Sequence, residues 1–208
     1  MRSVIWFRND LRVDDNPALS NCCAISEEVI AVYFLTESQW EQHNDSKAKK
    51  SFWLRSLVCL EKELQKLNIP LLIIETENYD SIYASLLKLM QQYECKSLYF
   101  NNEYPVNELK RDRYIYKSFK EIGFGVFNYH DQVIHPPGSL KTKAGGKFSV
   151  YSPFKRKWFE ELTEEQLVLF DIPSPKNKVN IESADVKNIS KKFVSKIDDF
   201  WPVGEDYI

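Results

Sequence analysis

Short apolar runs alternate with longer amphipathic stretches from the start of the chain to about Asp131. The runs are rich in branched and aromatic residues, and each is too short to be a typical helix. This pattern predicts strands that are buried on both faces of a sheet. There are five such runs, at positions 4–7, 29–35, 71–74, 97–100 and 124–127.

Helices are predicted between these strands. Over 45–67 the apolar residues recur at steps of three and four, which places them on one face of a helix. Similar stripes lie within 82–93 and 115–122, and the pair Asn16-Pro17 is typical of a helix start. Such alternation requires parallel strands joined by right-handed crossovers. We therefore predict a doubly wound, Rossmann-like α/β fold with a five-stranded parallel sheet in the order 3-2-1-4-5.

The chain changes character after Asp131. The stretch 135–146 is rich in turn residues, and an aromatic, basic segment at 151–162 is a candidate helix. Beyond Ile172 the sequence is polar with few apolar residues, which indicates a linker that crosses a surface and builds no core. We therefore divide the chain into an α/β domain, residues 1–131, and a loop and linker, residues 132–208, that we expect to lead to a second domain.

Composition and charge argue against several classes of protein. With 28 basic and 30 acidic residues, the formal charge of −2 disfavours a domain that binds nucleic acid through its overall field. The four cysteines show no paired spacing, so we predict neither a zinc site nor a disulfide framework, and a reduced cytoplasm fits best. No apolar run approaches the length of a membrane span or of a signal peptide core. We expect no membrane partner.

The turn after the first predicted strand, residues 8–17, is dense in charge. An α/β sheet binds ligands beyond the carboxyl ends of its strands, so this turn lies where a ligand is expected. It contains no glycine, which excludes a dinucleotide fingerprint, and no phosphate-binding Walker loop occurs in the chain. Its two arginines and three aspartates predict a salt-bridged network, with Asn16 as the helix cap and Pro17 at the first helical position.

Motifs along the whole chain resemble those of the photolyase and cryptochrome family. The opening signature is WFRNDLR at 6–12 with DNPAL at 15–19. Further matches follow in the same order and spacing as in the family: QHN at 42–44, NIPL at 68–71, the segment 104–112, HPPG at 135–138, FSVYSPFK at 148–155 and WPVGE at 201–205. The chain most resembles the amino-terminal, antenna-bearing part of a class I, folate-type DNA photolyase.

The resemblance implies a light-driven repair enzyme with two domains. In this family a carboxyl-terminal helical domain holds FAD, which donates an electron to a cyclobutane pyrimidine dimer flipped out of damaged DNA. The amino-terminal domain holds an accessory pigment, either a folate (5,10-methenyltetrahydrofolate) or a deazaflavin, that passes its excitation to the flavin. We therefore expect this chain to harvest light and to carry no catalytic residue. It would act on damaged DNA only through an FAD domain that follows it in the same polypeptide.

Asn107 and Glu108 are the predicted cofactor-binding residues. The folate-type members are most similar to this chain here, where an Asn-Glu pair contacts the pigment. A pterin presents an amide and an amino-pyrimidine edge, which a carboxylate accepting two N–H groups and a neighbouring carboxamide recognise well. Taken without the family, both residues are also typical of the first turn of a helix. His43 lies in a loop that could line the same crevice, but a lone loop histidine is usually solvated, so we do not count it among the predicted cofactor-binding residues.

Alternatives remain for one segment and for the function. Six basic residues at 141–157, interleaved with aromatic residues, suggest a nucleic-acid surface, although packing of the aromatic residues against a further domain fits better. The chain separates a photolyase poorly from a cryptochrome photoreceptor, with the Asn-Glu pair favouring repair. A self-sufficient α/β ligand-binding module is the third hypothesis, and the long polar segment at the end of the chain argues against it.

Overall fold

Five parallel strands form a single sheet in the computed structural model, which describes residues 1–196 and 198–205. The strand order is β3-β2-β1-β4-β5, so the predicted fold and order are confirmed. In the register of the sheet, Val4 of the central strand lies between Ile30 and Leu98. The strands are β1 (Arg2–Phe7), β2 (Glu28–Leu35), β3 (Leu71–Glu75), β4 (Ser97–Asn101) and β5 (Gly125–Tyr129).

Helices connect the strands and continue after them. All of the predicted helices form, and the structure adds two short ones, α2 and α7, that have too few turns to show a periodic stripe. Two 3₁₀ turns follow α6 and α7, at Glu164–Leu167 and Lys191–Phe193. The helices are α1 (Pro17–Ile25), α2 (Glu37–Gln42), α3 (Lys47–Lys66), α4 (Ile82–Gln92), α5 (Val106–Glu121), α6 (Tyr151–Glu160) and α7 (Val186–Ser190).

Successive residues of β1 belong to two different cores, because side chains alternate across a sheet. Ile5 and Phe7 pack on the face that α1 and α3 cover. Val4 and Trp6 pack on the face that α4 and α5 cover. This double burial explains why residues 4–7 of β1 form a continuous apolar run. None of the helices in the described part of the chain is long and apolar enough to cross a membrane.

The polar segment after Ile172 returns across the sheet and contributes to both cores. Its backbone donates to the carbonyls of Glu27, Leu67 and Leu71, beside the strands. Val179 is only 5% exposed and Val186 is fully buried, one in each core. The expectation that this segment builds no core is therefore wrong at these two residues, which lie isolated in polar sequence and form no recognisable pattern.

The end of the described chain is fastened to the α/β domain at two places. The Ser51 hydroxyl of α3 lies 2.7 and 2.8 Å from the two carboxylate oxygens of Asp198. The Glu205 carboxylate accepts hydrogen bonds from the backbone amides of Val13 and Asp14, at 2.8 and 3.0 Å. The segment thus ends beside the loop that follows β1. Positions 206–208, the last of the predicted linker, lie outside the described residues.

Candidate functional site

A cavity of about 360 Å³ lies beyond the carboxyl ends of the strands, where ligands bind in sheets of this kind. It is enclosed by the loops after β1, β2, β3 and β4 together with the starts of α3 and α5. Its walls combine aromatic rings with charged and amide side chains, and its principal wall residues are Trp40, His43, Trp53, Tyr79, Asn107 and Glu108. A hollow of this size and mixed lining is typical of a small-molecule site.

Two buried arginines lie on the faces of one tryptophan in the floor of this cavity. The guanidinium carbons of Arg8 and Arg111 are 4.3 and 4.8 Å from the ring centre of Trp6. Arg111 donates to Glu103 at 2.6 Å and to Asp112 at 2.8 and 2.9 Å. Burial opposes the charge of Arg111, but these two carboxylates outweigh it and raise its pKa. The floor is therefore an organised ionic network under an aromatic ring.

Arg8 is less completely satisfied than Arg111. It forms an ion pair of 3.5 Å with Asp112 and donates from Nη2 to the carbonyl of Asn101. Its Nε and Nη1 are buried and have no hydrogen-bond partner within the described residues. Such unpaired donors are costly, and the rings of Trp6 and Phe100 beside the guanidinium offset only part of this cost.

The amide of Asn101, at the end of β4, joins the loop after β1 to α1. Its Nδ2 donates to Asp10 at 2.7 Å and to Asn16 at 2.9 Å, and its Oδ1 accepts from the backbone of Ala18 at 3.1 Å. Asn16 also accepts from the Leu19 amide at 3.0 Å, so the predicted cap is confirmed. The predicted ion pairs within the loop do not form among the described residues, however. The loop's arginines pair with carboxylates from elsewhere in the chain: Arg8 with Asp112 at 3.5 Å and Arg12 with Asp131 at 2.6 Å.

The structure places Asn107 and Glu108 together on the first turn of α5, where both line the cavity. Neither side chain caps the helix, which begins after Pro105 without a side-chain hydrogen bond. Asn107 is exposed at the rim, whereas Glu108 is partly buried. The Oε1 of Glu108 accepts a hydrogen bond of 3.0 Å from the hydroxyl of Tyr79, in the loop after β3. Pigment binding at this pair remains a prediction.

Several wall residues were not predicted from the sequence. Trp40 of α2 and Trp53 of α3 lie with ring centres 5.5 Å apart, and Lys49 lies 4.5 Å above the ring of Trp53. His43, which was not among the predicted site residues, lines the same cavity and contacts Gln39 at 2.7 Å. The motif QHN at 42–44 was the one local signal for this wall, because it spans the end of α2 and the start of the loop before α3.

The aromatic and basic segment lies apart from the cavity. Helix α6 forms where expected, but none of its residues is buried. Tyr151 is 71% exposed, and the basic residues at 141, 143, 147, 155 and 156 are exposed as well. Trp158 is the better packed aromatic residue, since its ring meets that of His135 at a centroid distance of 5.1 Å.

Comparisons with known proteins agree on one family. A family model described as DNA photolyase matches residues 3–176. A curated deoxyribodipyrimidine photo-lyase from Buchnera aphidicola (Acyrthosiphon pisum) is 32% identical over 208 residues, covering 98% of this chain and 42% of that protein. The chain thus spans about two fifths of that relative's length.

Solved structures give the same answer for the fold. A bacterial class III photolyase from Agrobacterium tumefaciens superposes with a TM-score of 0.81 at 26% identity, over 99% of this chain and 42% of that one. An archaeal photolyase from Sulfolobus tokodaii, described as containing two FAD molecules, superposes with a TM-score of 0.73 at 21% identity, over 100% of this chain and 45% of that one. The second likeness concerns the fold alone.

Proposed function

This chain belongs to the DNA photolyase family, and from that premise we propose that it is the light-harvesting part of an enzyme that repairs cyclobutane pyrimidine dimers with blue light. The observation that supports this proposal most directly is the cavity, which Asn107 and Glu108 line together with several aromatic rings. Repair itself, the FAD that drives it and contact with damaged DNA belong, in this proposal, to a longer protein. Residues 1–131 would be its α/β domain and 132–208 the connection to its flavin domain.

The pigment that we propose for the cavity is 5,10-methenyltetrahydrofolate. A flat pterin fits between aromatic side chains, and the cavity provides Trp40, Trp53 and Tyr79. Glu108 and Asn107 would accept and donate hydrogen bonds along the amide and amino edge of the ring. When bound, the folate absorbs light and passes the excitation to the flavin. The task of this chain's residues is to hold the ring in one orientation and to exclude water from it.

The wall formed by the loop after α2 and the start of α3 carries the groups that would meet an anionic tail of the ligand. Lys49 is half-exposed at the cavity, where it pairs with Asp45 at 2.6 Å, and His43 lies nearby in the same wall. The glutamyl carboxylates of a folate would meet these groups once its pterin ring contacts Glu108. A deazaflavin is the alternative pigment, and direct comparison of the two ligands distinguishes them.

The test is to titrate the chain with 5,10-methenyltetrahydrofolate and to compare Glu108→Gln with the unchanged protein. The glutamine keeps the shape but replaces an acceptor oxygen by a donor, which leaves a pterin N–H unpaired at a cost of about 1–3 kcal/mol. We therefore expect an affinity roughly 5- to 150-fold lower. Glu121→Gln, at the far end of the same helix and exposed, is the matched control and should bind as the unchanged chain does. Equal folate binding by the chain and Glu108→Gln would place the pigment elsewhere.

A further inference from the structure

Tyr79 is the one residue whose side chain is hydrogen-bonded to Glu108 within the described part of the chain. It lies between β3 and α4, and 29 positions separate it from Glu108 along the sequence. Its hydroxyl donates to Oε1 of Glu108 and to no other acceptor that the structure describes. The second carboxylate oxygen, Oε2, accepts no hydrogen bond from the described residues and is available to a ligand.

The ring of Tyr79 is itself held in place by its surroundings. The guanidinium of Arg111 lies 4.7 Å from its centre, and Arg111 is fixed in turn by its two carboxylates in the cavity floor. The loop that carries Tyr79 is closed by reciprocal hydrogen bonds between Asn78 and Ser81, at 3.1 and 3.3 Å. Burial raises the pKa of Tyr79 well above its usual range, so the hydroxyl keeps its proton. The donor therefore has a fixed position and a fixed protonation state.

We propose that Tyr79 is a positioning residue that orients Glu108 and thereby selects a ligand presenting N–H donors to the cavity. This inference rests on the proposed function. By occupying Oε1, the tyrosine holds the carboxylate plane and directs Oε2 towards the ligand. A carboxylate fixed in this way before binding loses less side-chain freedom when the ligand arrives. The cavity then favours a ring edge with two N–H groups over an edge that carries acceptors.

If Tyr79 has this role, the side-chain amide in Glu108→Gln should adopt one orientation. Its amide oxygen should face the tyrosine hydroxyl, which leaves the NH₂ group facing the ligand's own donors. The reversed amide would make the hydroxyl an acceptor and leave its proton without a partner, so it is disfavoured. When the hydroxyl is removed, this preference disappears. The glutamine can then turn its oxygen towards the ligand.

The experiment is a double-mutant cycle in the 208-residue chain, read as the affinity for 5,10-methenyltetrahydrofolate. We expect Tyr79→Phe alone to weaken binding about three- to tenfold, because Glu108 loses its orientation. Glu108→Gln alone should weaken it about 5- to 150-fold, as above. The double variant should bind at least about threefold more tightly than Glu108→Gln alone, since the amide is free to turn. Tyr83→Phe is the matched control, because Tyr83 packs on Tyr114 and Phe119 outside the cavity wall.

The outcomes separate this inference from the function on which it rests. If Glu108→Gln binds folate as the unchanged chain does, or if the unchanged chain binds none, the proposed site is wrong and the inference falls with it. If Glu108→Gln weakens binding but Tyr79→Phe brings no recovery, the site stands and the positioning role is refuted. Recovery in the double variant, with no effect of Tyr83→Phe, supports the role, because a general loss of structure would not restore affinity.

Discussion

The ionic network around Trp6 is the feature of this molecule in which single residues matter most. Arg111 neutralises two buried carboxylates, Glu103 and Asp112, in the floor of the cavity. A buried pair of this kind adds little net stability compared with an apolar replacement of both partners, but removing one partner leaves the other charge without compensation. The arginine is therefore hard to replace even though its net contribution to folding is modest.

Arg111→Met is expected to lower the free energy of unfolding by about 3–5 kcal/mol, because Glu103 would stay buried without a counter-charge and Asp112 would keep only its longer ion pair with Arg8. Urea unfolding followed by circular dichroism measures the change. Arg113→Met provides the control on the same helix, since Arg113 is exposed, and should cost less than about 0.5 kcal/mol. Equal losses in the two variants would mean that the network contributes nothing specific.

At this scale the sequence predicts local contacts and misses distant ones. The Asn16 cap was predictable because its partner, the Leu19 amide, lies three positions away. The carboxylates that meet Arg8 and Arg12 lie about a hundred positions away, and only the folded sheet brings them together. The fold likewise brings Tyr79 to Glu108. Asn107 and Glu108 themselves were predicted from the resemblance to the family.

Among the elements, the strands and long helices follow directly from the hydrophobic pattern, whereas the C-terminal segment does not. The three central strands, β1, β2 and β4, are buried on both faces, so their sequences are largely apolar runs. Helix α3 repeats its buried leucines over several turns, which makes the stripe unmistakable. Helices α2 and α7 have only six and five residues, and tertiary contacts determine them. The single valines that fix the C-terminal segment have no periodicity to detect.

Val186→Ala tests whether that segment is part of the core. Val186 is fully buried against α3, so losing two methyl groups should cost about 2 kcal/mol of unfolding free energy. Val194→Ala, in the same segment but 71% exposed, should leave stability within about 0.5 kcal/mol. Both are measured by chemical denaturation. If neither variant is destabilised, the segment lies on the surface without supporting the sheet.

The contact between α3 and Asp198 should make the same segment sensitive to acid. Desolvation opposes ionisation of Asp198, but hydrogen bonds from the Ser195 amide and the Ser51 hydroxyl, with the charge of Arg55, outweigh it and lower the pKa. A carboxyl with a lowered pKa in the folded state stabilises the fold above its ordinary pKa, here 3.8. That stabilisation is lost as the pH falls through the lowered value.

Asp198→Asn should therefore reduce stability by up to about 1 kcal/mol at pH 6, because the contact is partly exposed, and by progressively less in acid. The measurement is urea unfolding from pH 6 down to about pH 2.5. Asp199→Asn, at the neighbouring exposed position, should follow the unchanged chain throughout. A difference between Asp198→Asn and the unchanged chain that is independent of pH would show that the charge of Asp198 is not involved.

At the scale of the whole molecule, we propose that the cavity holds the light-harvesting pigment of a longer repair enzyme. The flavin and the dimer pocket would then belong to sequence outside these 208 residues. We expect the purified chain to show no flavin absorbance and no light-dependent splitting of thymine dimers. Absorption spectra and a dimer-repair assay, with a full-length family member as positive control, test this. Stoichiometric FAD on the chain would overturn the assignment of the flavin to another domain.

Pigment affinity is where the parts of such a protein should act together. If the folate lies in a cleft between domains, as the resemblance to the family implies, the cavity walls described above would be only one side of its site. If the other side contributes half of the apolar burial, its absence removes a few kcal/mol, and at about 1.4 kcal/mol per decade the chain alone should bind folate some hundredfold more weakly than the longer protein.

Folate titration of both lengths, each with and without Glu108→Gln, measures this difference. Because the contact with Glu108 lies entirely within this chain, the substitution should weaken binding by the same factor in both. Equal affinity of the two lengths would mean that this cavity encloses the pigment unaided. If the substitution weakens folate binding in neither length, Glu108 is not part of the pigment site.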